Sequence, residues 1–383
     1  MSDRPTIAFN GSALLSPLTG VGQYAKSLAE ALVATRELDM KFFYAASWSE
    51  EIRTHPLKSI SRAKELVKRL VPHAYRVSRA LQGWRFGIGV RKYRPQLYHE
   101  PNFLPFDFDG PTVVTAHDLS WIRYPETHPT ERVRVMNELF PLAVRRADHV
   151  LTDASYVRQE IIDEFGVAPE RITAVPLGAR HIFHQRGESQ CRDVLHTYGL
   201  HYRSYLLCVG TLEPRKNLEL AIRAYAAMPE FFRKRRPLVI VGMKGWLTSD
   251  LDSMMQQKIA SGEIRLLGFT SDESLAVLYA SAQVLVYPSL YEGFGLPPLE
   301  AMASGTPVVV SNRSTLPEVV GAAGVTIDAE DQDGLRAALL RFDEDSAFWH
   351  SRAEASLSQA AQFSWQRCAR ETLAVYRSVM RNH

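Results

Sequence analysis

The sequence predicts an α/β protein of two doubly wound parallel-sheet domains, and three observations carry that prediction. Short apolar, β-branched runs recur without polar alternation, as in strands covered on both faces. Helical patterns separate these runs, and strand–helix alternation marks parallel sheets. The runs also fall into two sets, and a chain of 383 residues suits two domains of roughly 100–200 residues each.

The first set of predicted strands is Thr6–Asn10, Lys41–Ala46, Leu97–Glu100, Thr112–His117, His149–Ala154 and Ile172–Leu177. The second is Tyr205–Gly210, Leu238–Gly242, Ile264–Gly268, Val284–Ser289, Pro307–Asn312 and Gly324–Asp328. Helices are predicted at Val21–Thr35, Glu131–Arg146, Ser155–Phe165, Leu218–Met228, Asp272–Ser281, Pro297–Ser304 and Asp331–Phe342. The strand end Val175-Pro176-Leu177-Gly178 is closed by Pro and Gly, and polar, poorly patterned sequence follows it to about His201. The expected domains are therefore 1–178 and 179–362, with an amphipathic helix, Trp365–Met380, within 363–383.

Composition narrows the function classes. Apolar residues make up 46% and charged residues 23%, as in an ordinary globular protein. Cys191, Cys208 and Cys368 are far apart and odd in number, which points to a reducing compartment rather than a disulfide framework or a cysteine metal site. Net charge is only +3, so the molecule as a whole is no polyanion binder. No signal-peptide layout and no run of about 18 apolar residues is present, so a soluble or membrane-surface protein is expected. The charge is uneven, however: 51–95 holds twelve Lys/Arg against Glu51 and Glu65. Apolar residues such as Leu81, Trp84 and Phe86 lie among those cations. The stretch 53–94 thus reads either as a membrane-interface helix or as a solvated helical insertion, in preference to a nucleic-acid surface.

The chemistry concentrates after two strands of the second set. Tyr291-Glu292-Gly293-Phe294-Gly295-Leu296-Pro297-Pro298-Leu299-Glu300 follows Val284–Ser289. Its glycines permit close backbone approach, and its prolines suit a first helical turn whose amides favour phosphate. Carboxylates accept sugar hydroxyls well, so one of Glu292 and Glu300 would hold the transferred sugar and the other the ribose. Gly210-Thr211-Leu212-Glu213-Pro214-Arg215-Lys216-Asn217 follows Tyr205–Val209, bringing Arg215 and Lys216 to the same sheet edge. Two cations there would neutralise a diphosphate leaving group without a metal.

These segments resemble the retaining glycosyltransferases of family 4. The resemblance rests on the Glu-x7-Glu spacing of Glu292 and Glu300, on Gly210–Asn217 and on Leu316-Pro317-Glu318-Val319. Gly20-Val21-Gly22-Gln23-Tyr24 and His117-Asp118-Leu119-Ser120 extend it across nearly the whole chain. It implies a GT-B fold: two Rossmann-like domains facing across a cleft, with Trp365–Met380 crossing back. It implies that Lys216 contacts the donor diphosphate, that Glu292 lies beside the transferred sugar, and that Glu300 binds ribose. It sets the backbone of Phe294, Gly295 and Leu296 at sugar and phosphate, with Gly210 and Thr211 also on the donor. Gly20 and Gly22 fall in a glycine loop near the phosphates and acceptor, and His117 is a cleft histidine near the reacting centre. Tyr24 and Asp118 fall on the acceptor side. Many members carry Arg directly after the strand glycine where this chain has Thr211, so Arg215 would supply the second positive charge.

His117 ends a predicted strand, where its imidazole or carbonyl would bond a sugar hydroxyl or, more plainly, a neighbouring loop. Asp118 is an acceptor-side group or a helix cap. Gly20-Val21-Gly22-Gln23-Tyr24-Ala25 also fits the dinucleotide fingerprint of a nicotinamide oxidoreductase. The loop 11–19 is too long for that turn, though, and Lys41–Ala46 ends without a ribose-binding acid. Asp-x-Asp pairs at Asp107/Asp109, Asp250/Asp252, Asp331/Asp333 and Asp343/Asp345 are scattered, so no obligate metal is expected. A non-catalytic binding subunit is disfavoured by the complete Lys216, Glu292 and Glu300 set. Within the family, His117-Asp118-Leu119-Ser120-Trp121, Tyr124-Pro125-Glu126 and Gly210–Asn217 look most like bacterial mannosyltransferases acting on lipid-carried polysaccharide. GDP-mannose is the first expected donor and a UDP-sugar the alternative. The acceptor would be a glycan or polyprenyl-linked chain, met in the bacterial cytoplasm or at the inner face of its membrane.

Overall fold

The computed structural model describes residues 4–15, 20–54, 74–242 and 249–383. The chain divides into two compact units. The first comprises Met1–Leu119, Glu131–Leu177 and Trp365–His383, and the second Ser120–Thr130 and Gly178–Ser364.

The first unit holds a seven-stranded sheet in the order β3-β2-β1-β4-β5-β6-β7. Its strands are β1 (Thr6–Asn10), β2 (Asp39–Phe43), β3 (Trp48–Ser49), β4 (Leu97–Glu100), β5 (Thr112–Ala116), β6 (His149–Thr152) and β7 (Ile172–Ala174). All pair in parallel except β3, which runs antiparallel to β2 at the edge. The second unit holds β8 (Leu206–Val209), β9 (Leu238–Val241), β10 (Ile264–Gly268), β11 (Val284–Tyr287), β12 (Val308–Ser311) and β13 (Val325–Ile327). These form an all-parallel sheet in the order β10-β9-β8-β11-β12-β13. Each predicted strand is present, most of them trimmed by a residue or two at the carboxyl end where the chain turns away.

Strand order reverses between β1 and β4 in the first sheet and between β8 and β11 in the second. Connections leave such a pair toward opposite faces, opening a crevice beyond the strands' carboxyl ends, where open α/β sheets bind ligands. The residues after β8 and after β11 are therefore neighbours although about 75 positions separate them in sequence. Apolar burial holds this frame. In the second unit Leu206, Ile240, Val284 and Val286 of the sheet pack with Tyr225, Leu335 and Leu339 of the covering helices.

Several elements differ from expectation. The helix Glu188–Thr197 occupies sequence expected to be irregular, and only Cys191 and Leu195 of it are buried, too thin a stripe to register as a pattern. Of the basic stretch, 55–73 lies outside the described residues, while Ala74–Tyr93 is one helix. That helix inserts Phe86 into an aromatic cluster with Phe43, Tyr98 and Phe106. Residues 120–130, expected in the first domain, group with the second unit. There the Tyr124 hydroxyl lies 3.4 Å from Leu290 O and its ring 5.8 Å from that of Tyr291.

The helix Trp365–Arg381 packs on the first unit, burying Trp365, Cys368, Leu373 and Tyr376. The Tyr376 hydroxyl and His99 Nδ1 are 2.5 Å apart, so this helix is tied to the interior of β4. Among the described residues no helix is long and apolar enough to cross a membrane.

Candidate active site

The segment after β8 is shaped by backbone rather than by bulk. Gly210 has φ +148° and Gly242, at the end of the adjacent β9, has φ +154°. A Cβ on Gly242 would lie 1.9 Å from Gly210 O, so only glycine permits this approach. A short 3-10 turn, Pro214–Lys216, follows, and Asn217 at φ +52° redirects the chain into the helix Leu218–Ala226. Asn217 Nδ2 donates to Pro288 O at 3.0 Å and to Ala329 O at 2.8 Å, pinning this turn to the neighbouring strand ends. Leu290 N donates to Arg215 O at 2.8 Å.

Arg215, Lys216 and Glu292 meet as the sequence implies. Lys216 Nζ donates to Glu292 Oε1 at 2.7 Å, to Oε2 at 3.0 Å and to the Tyr287 hydroxyl at 2.8 Å. Arg215 donates to Tyr291 O at 2.7 Å and to Glu213 Oε1 at 2.7 Å, with Glu292 Oε2 at 3.5 Å. Two cations and two carboxylates thus balance in one cluster. Glu292 is buried, which by itself would raise its pKa, but Lys216 and Arg215 outweigh burial and hold the carboxyl below its ordinary range. Its backbone is fixed as well: Glu292 N donates to Ser314 Oγ, and Thr315 Oγ1 donates to Glu292 O and Phe294 O. Glu213 and Asn217 lay in the quoted motif without a role of their own, while Tyr287 at the end of β11 and Ser314 and Thr315 in a turn carried no sequence signal.

Gly295, at φ +116°, starts the helix Leu296–Ala303. The prolines fall at its second and third positions, so among its first three residues only Leu296 bears an N–H. An anion here would depend on Arg215 and Lys216 more than on helix amides. Phe294 is buried, with its ring 5.9 Å from that of Phe363, which leaves its backbone to line the turn. Thr211 is exposed beside Gly210.

Glu300 lies inside that helix and is 8% exposed. Burial pushes its pKa up to about 7, while Arg180 and Tyr279 pull the other way. Arg180 NH2 stands 4.0 Å from Glu300 Oε1, and the Arg180 fork is bonded to Asp272 at 2.5 and 3.2 Å.

The first sheet presents a different edge. His117 Nδ1 is 2.8 Å from Asp153 Oδ2, and His117 Nε2 is 2.8 Å from Pro101 O. A carbonyl only accepts, so Nε2 carries hydrogen, and a further proton is held between Nδ1 and the carboxyl. Burial lowers the pKa of His117, but Asp153 overcomes that and raises it above the usual value. Both ring nitrogens are thus engaged inside the protein, which is the loop-bonded alternative rather than a ring offered to a sugar. Tyr24 is buried too, its hydroxyl 2.9 Å from Thr115 Oγ1 and its ring 4.7 Å from that of His117. Asp118 is partly exposed. Gly20 and Gly22, which the resemblance sets in a glycine loop, form the first turn of the helix Gly20–Ala34, close to the predicted Val21–Thr35, and 16–19 lies outside the described residues. Helix geometry begins there because Tyr24, Ala25 and Leu28 already face the core. At the end of β4, Glu100 accepts from Asn10 Nδ2 and from the Tyr98 hydroxyl, each at 2.6 Å.

Members of three of the Asp-x-Asp pairs have protein partners, Asp107 bonding Arg146, while the side chains of Asp250 and Asp252 lie outside the described residues. Asp331 and Asp345 cap helices, and Asp343 bonds Arg236 Nε at 2.8 Å. Among the described residues no three His, Cys, Asp or Glu side chains converge as metal ligands.

Comparison with known proteins identifies the family and the fold. Residues 18–181 match the family model "Glycosyltransferase Family 4", and residues 201–362 match "Glycosyl transferases group 1". The O-antigen chain mannosyltransferase B of Escherichia coli is 38% identical over 378 residues, covering 97% of this chain and 99% of that protein. The MMP alpha-(1->4)-mannosyltransferase of Mycolicibacterium hassiacum is 32% identical over 62% of this chain and 56% of its own length. Among solved structures, sucrose-phosphate synthase from Thermosynechococcus elongatus superposes with a TM-score of 0.77 at 21% identity, covering 99% of this chain and 100% of that one. The HepE protein of Anabaena, in complex with UDP and glucose, gives 0.72 at 18% identity, covering 98% and 100%.

Proposed function

The chain belongs to the family 4, group 1 glycosyltransferases, and on that premise we propose that it transfers mannose from GDP-mannose to a glycan or polyprenyl-linked acceptor in O-antigen synthesis. The observation that carries the transferase reading is the bond of Lys216 to Glu292 at the carboxyl ends of β8 and β11. The mannose assignment is supported by similarity to an O-antigen mannosyltransferase along 97% of the chain.

In this reading the donor diphosphate takes over the Lys216 ammonium and the Arg215 guanidinium. Glu292, released from Lys216, accepts hydroxyls of the sugar, and Glu300 accepts those of the ribose. As the bond from C1 to the phosphate oxygen breaks, the acceptor oxygen bonds C1 on the same face. Its proton passes to the leaving diphosphate oxygen, so configuration is retained. No metal is required, because two side-chain cations meet the developing charge. The first unit supplies the acceptor side through the edge carrying His117 and Asp118.

Product analysis with GDP-mannose, GDP-fucose, UDP-glucose and UDP-galactose in the presence of chelator tests these points together. Transfer of mannose with retained configuration is expected. Transfer from a UDP-sugar alone would overturn the donor assignment, and an inverted product or a trapped glycosyl-enzyme would overturn the mechanism.

The same reading sets the enzyme against the inner face of the cytoplasmic membrane. The helix Ala74–Tyr93 carries no acidic residue, and it exposes Leu81 (47%), Trp84 (65%) and Ile88 (47%) on one face. Arg85, Arg91 and Lys92 belong to the same helix. An apolar stripe among cations suits an anionic lipid surface. Trp84→Ser with Ile88→Ser should weaken co-sedimentation with phosphatidylglycerol vesicles about tenfold. Unchanged sedimentation would remove the membrane from this reading.

A further inference from the structure

The segment just past Gly178 enters the second unit at Arg180, a residue the reaction described above does not use. The Arg180 guanidinium forks onto both oxygens of Asp272, at 2.5 and 3.2 Å, at the start of the helix Asp272–Ser281. Its Cζ lies 4.8 Å from the centre of the Phe183 ring, and Phe183 packs edge-on against Tyr279 with ring centres 5.4 Å apart. NH2 is left 4.0 Å from Glu300 Oε1. Arg180 Nε is buried and finds no acceptor among the described residues. A guanidinium held this tightly on one side presents its remaining charge in a fixed direction, toward Glu300.

We propose that Arg180 is a positioning residue for nucleotide recognition: clamped by Asp272 and Phe183, it orients Glu300 to accept the ribose hydroxyls of the donor. This rests on the assignment of Glu300 to ribose.

The electrostatics agree in direction. The groups acting on Glu300 are Arg180 from the preceding segment and Tyr279 and Asp272 from the helix Asp272–Ser281. Burial raises the carboxyl to about 7, Arg180 and Tyr279 lower it, and Asp272 raises it slightly. Without Arg180 the midpoint moves higher still, and a protonated carboxyl cannot accept from two adjacent hydroxyls equally. The loss should therefore be large near pH 7 and recede as pH rises and Glu300 ionises unaided.

Calorimetric binding of GDP and UDP, each beside its 2′,3′-dideoxy counterpart, tests this across pH 6.5–9. The proteins are wild type, Arg180→Gln, Arg180→Lys and Glu300→Gln. Wild type should prefer the ribose form of its nucleotide. Arg180→Gln should lose about tenfold in affinity for that form at pH 7, leave the dideoxy form unchanged, and regain most of the loss by pH 9. Arg180→Lys should retain most of the preference, which separates the role from mere folding. Equal weakening of both forms, or an intact preference in Arg180→Gln, would overturn the proposal. An intact preference in Glu300→Gln would instead overturn the ribose assignment beneath it.

Discussion

The carboxyl edges of the two sheets carry similar residue types to opposite ends. At the first sheet the polar groups bond inward: His117 to Asp153 and Pro101 O, Glu100 to Asn10 and Tyr98, His99 to Thr115 and Tyr376. At the second, Lys216 and Arg215 compete for Glu292 and Glu213 across a turn held by backbone. The first arrangement gains nothing from a ligand anion. In the second, a diphosphate can take over the cations that now bond Glu292 and Glu213, leaving those carboxylates to accept hydroxyls. Titratable groups at a sheet edge therefore mark a site only when their partners are replaceable.

That contrast predicts where substitutions act. Lys216→Ala should lower kcat by about 10²–10³, the cost typical of one charge-stabilising donor, with circular dichroism unchanged. Activity within a few-fold of wild type would remove the site from this edge. Asp153→Ala should do the reverse: the buried His117 loses its partner, stability to urea falls by about 3 kcal/mol, and nucleotide affinity of the second unit stays as it was. If nucleotide affinity falls in step with stability, the two edges are not independent.

The smallest effect is on the pH dependence of stability. The pKa of His117 is raised in the folded protein, so its contribution is full below the unfolded value of about 6.5 and lost as pH rises through the folded one. Asp153 is also raised, and Glu100 and Glu300 are pushed up to about 7, each giving the same sign over a lower window. His99 and His149, lowered to about 3 and about 4, give the opposite sign up to the unfolded value of about 6.5, so the urea midpoint should fall between pH 6.5 and pH 8, above their window. His117→Gln should flatten the upper part of that slope and Glu100→Gln the lower, by about 1–2 kcal/mol each. A midpoint that rises over this range contradicts the assignment of raised values to these groups.

Much of the frame was legible in the sequence because parallel strands are short apolar runs whatever their neighbours. β3 escaped because Trp48–Ser49 is too short to show a pattern. In the candidate site, Glu292, Arg215 and Lys216 were legible because each follows closely on a strand end, and Glu300 through its seven-residue spacing from Glu292 into the next helix. Asp153 and Arg180 were not. Their meaning lies in partners 36 and 92 positions away, His117 and Asp272, and no local pattern encodes such a pairing. For His117 the sequence left a sugar hydroxyl and a neighbouring loop both open, because its partners Pro101 O and Asp153 come from other loops.

The helix Trp365–Arg381 has a consequence for synthesis. It completes the first unit, whose other segments end at Leu177, so 187 residues of the second unit leave the ribosome between them. During translation the hydrophobic seat for Leu373, Tyr376 and Val379 stays uncovered, and His99 lacks its tyrosine partner. The second unit, contiguous but for 120–130, can reach its native packing first. The half of the protein made earliest is thus the half that finishes folding last, and the interval of exposure is set by elongation rate rather than by its own folding speed.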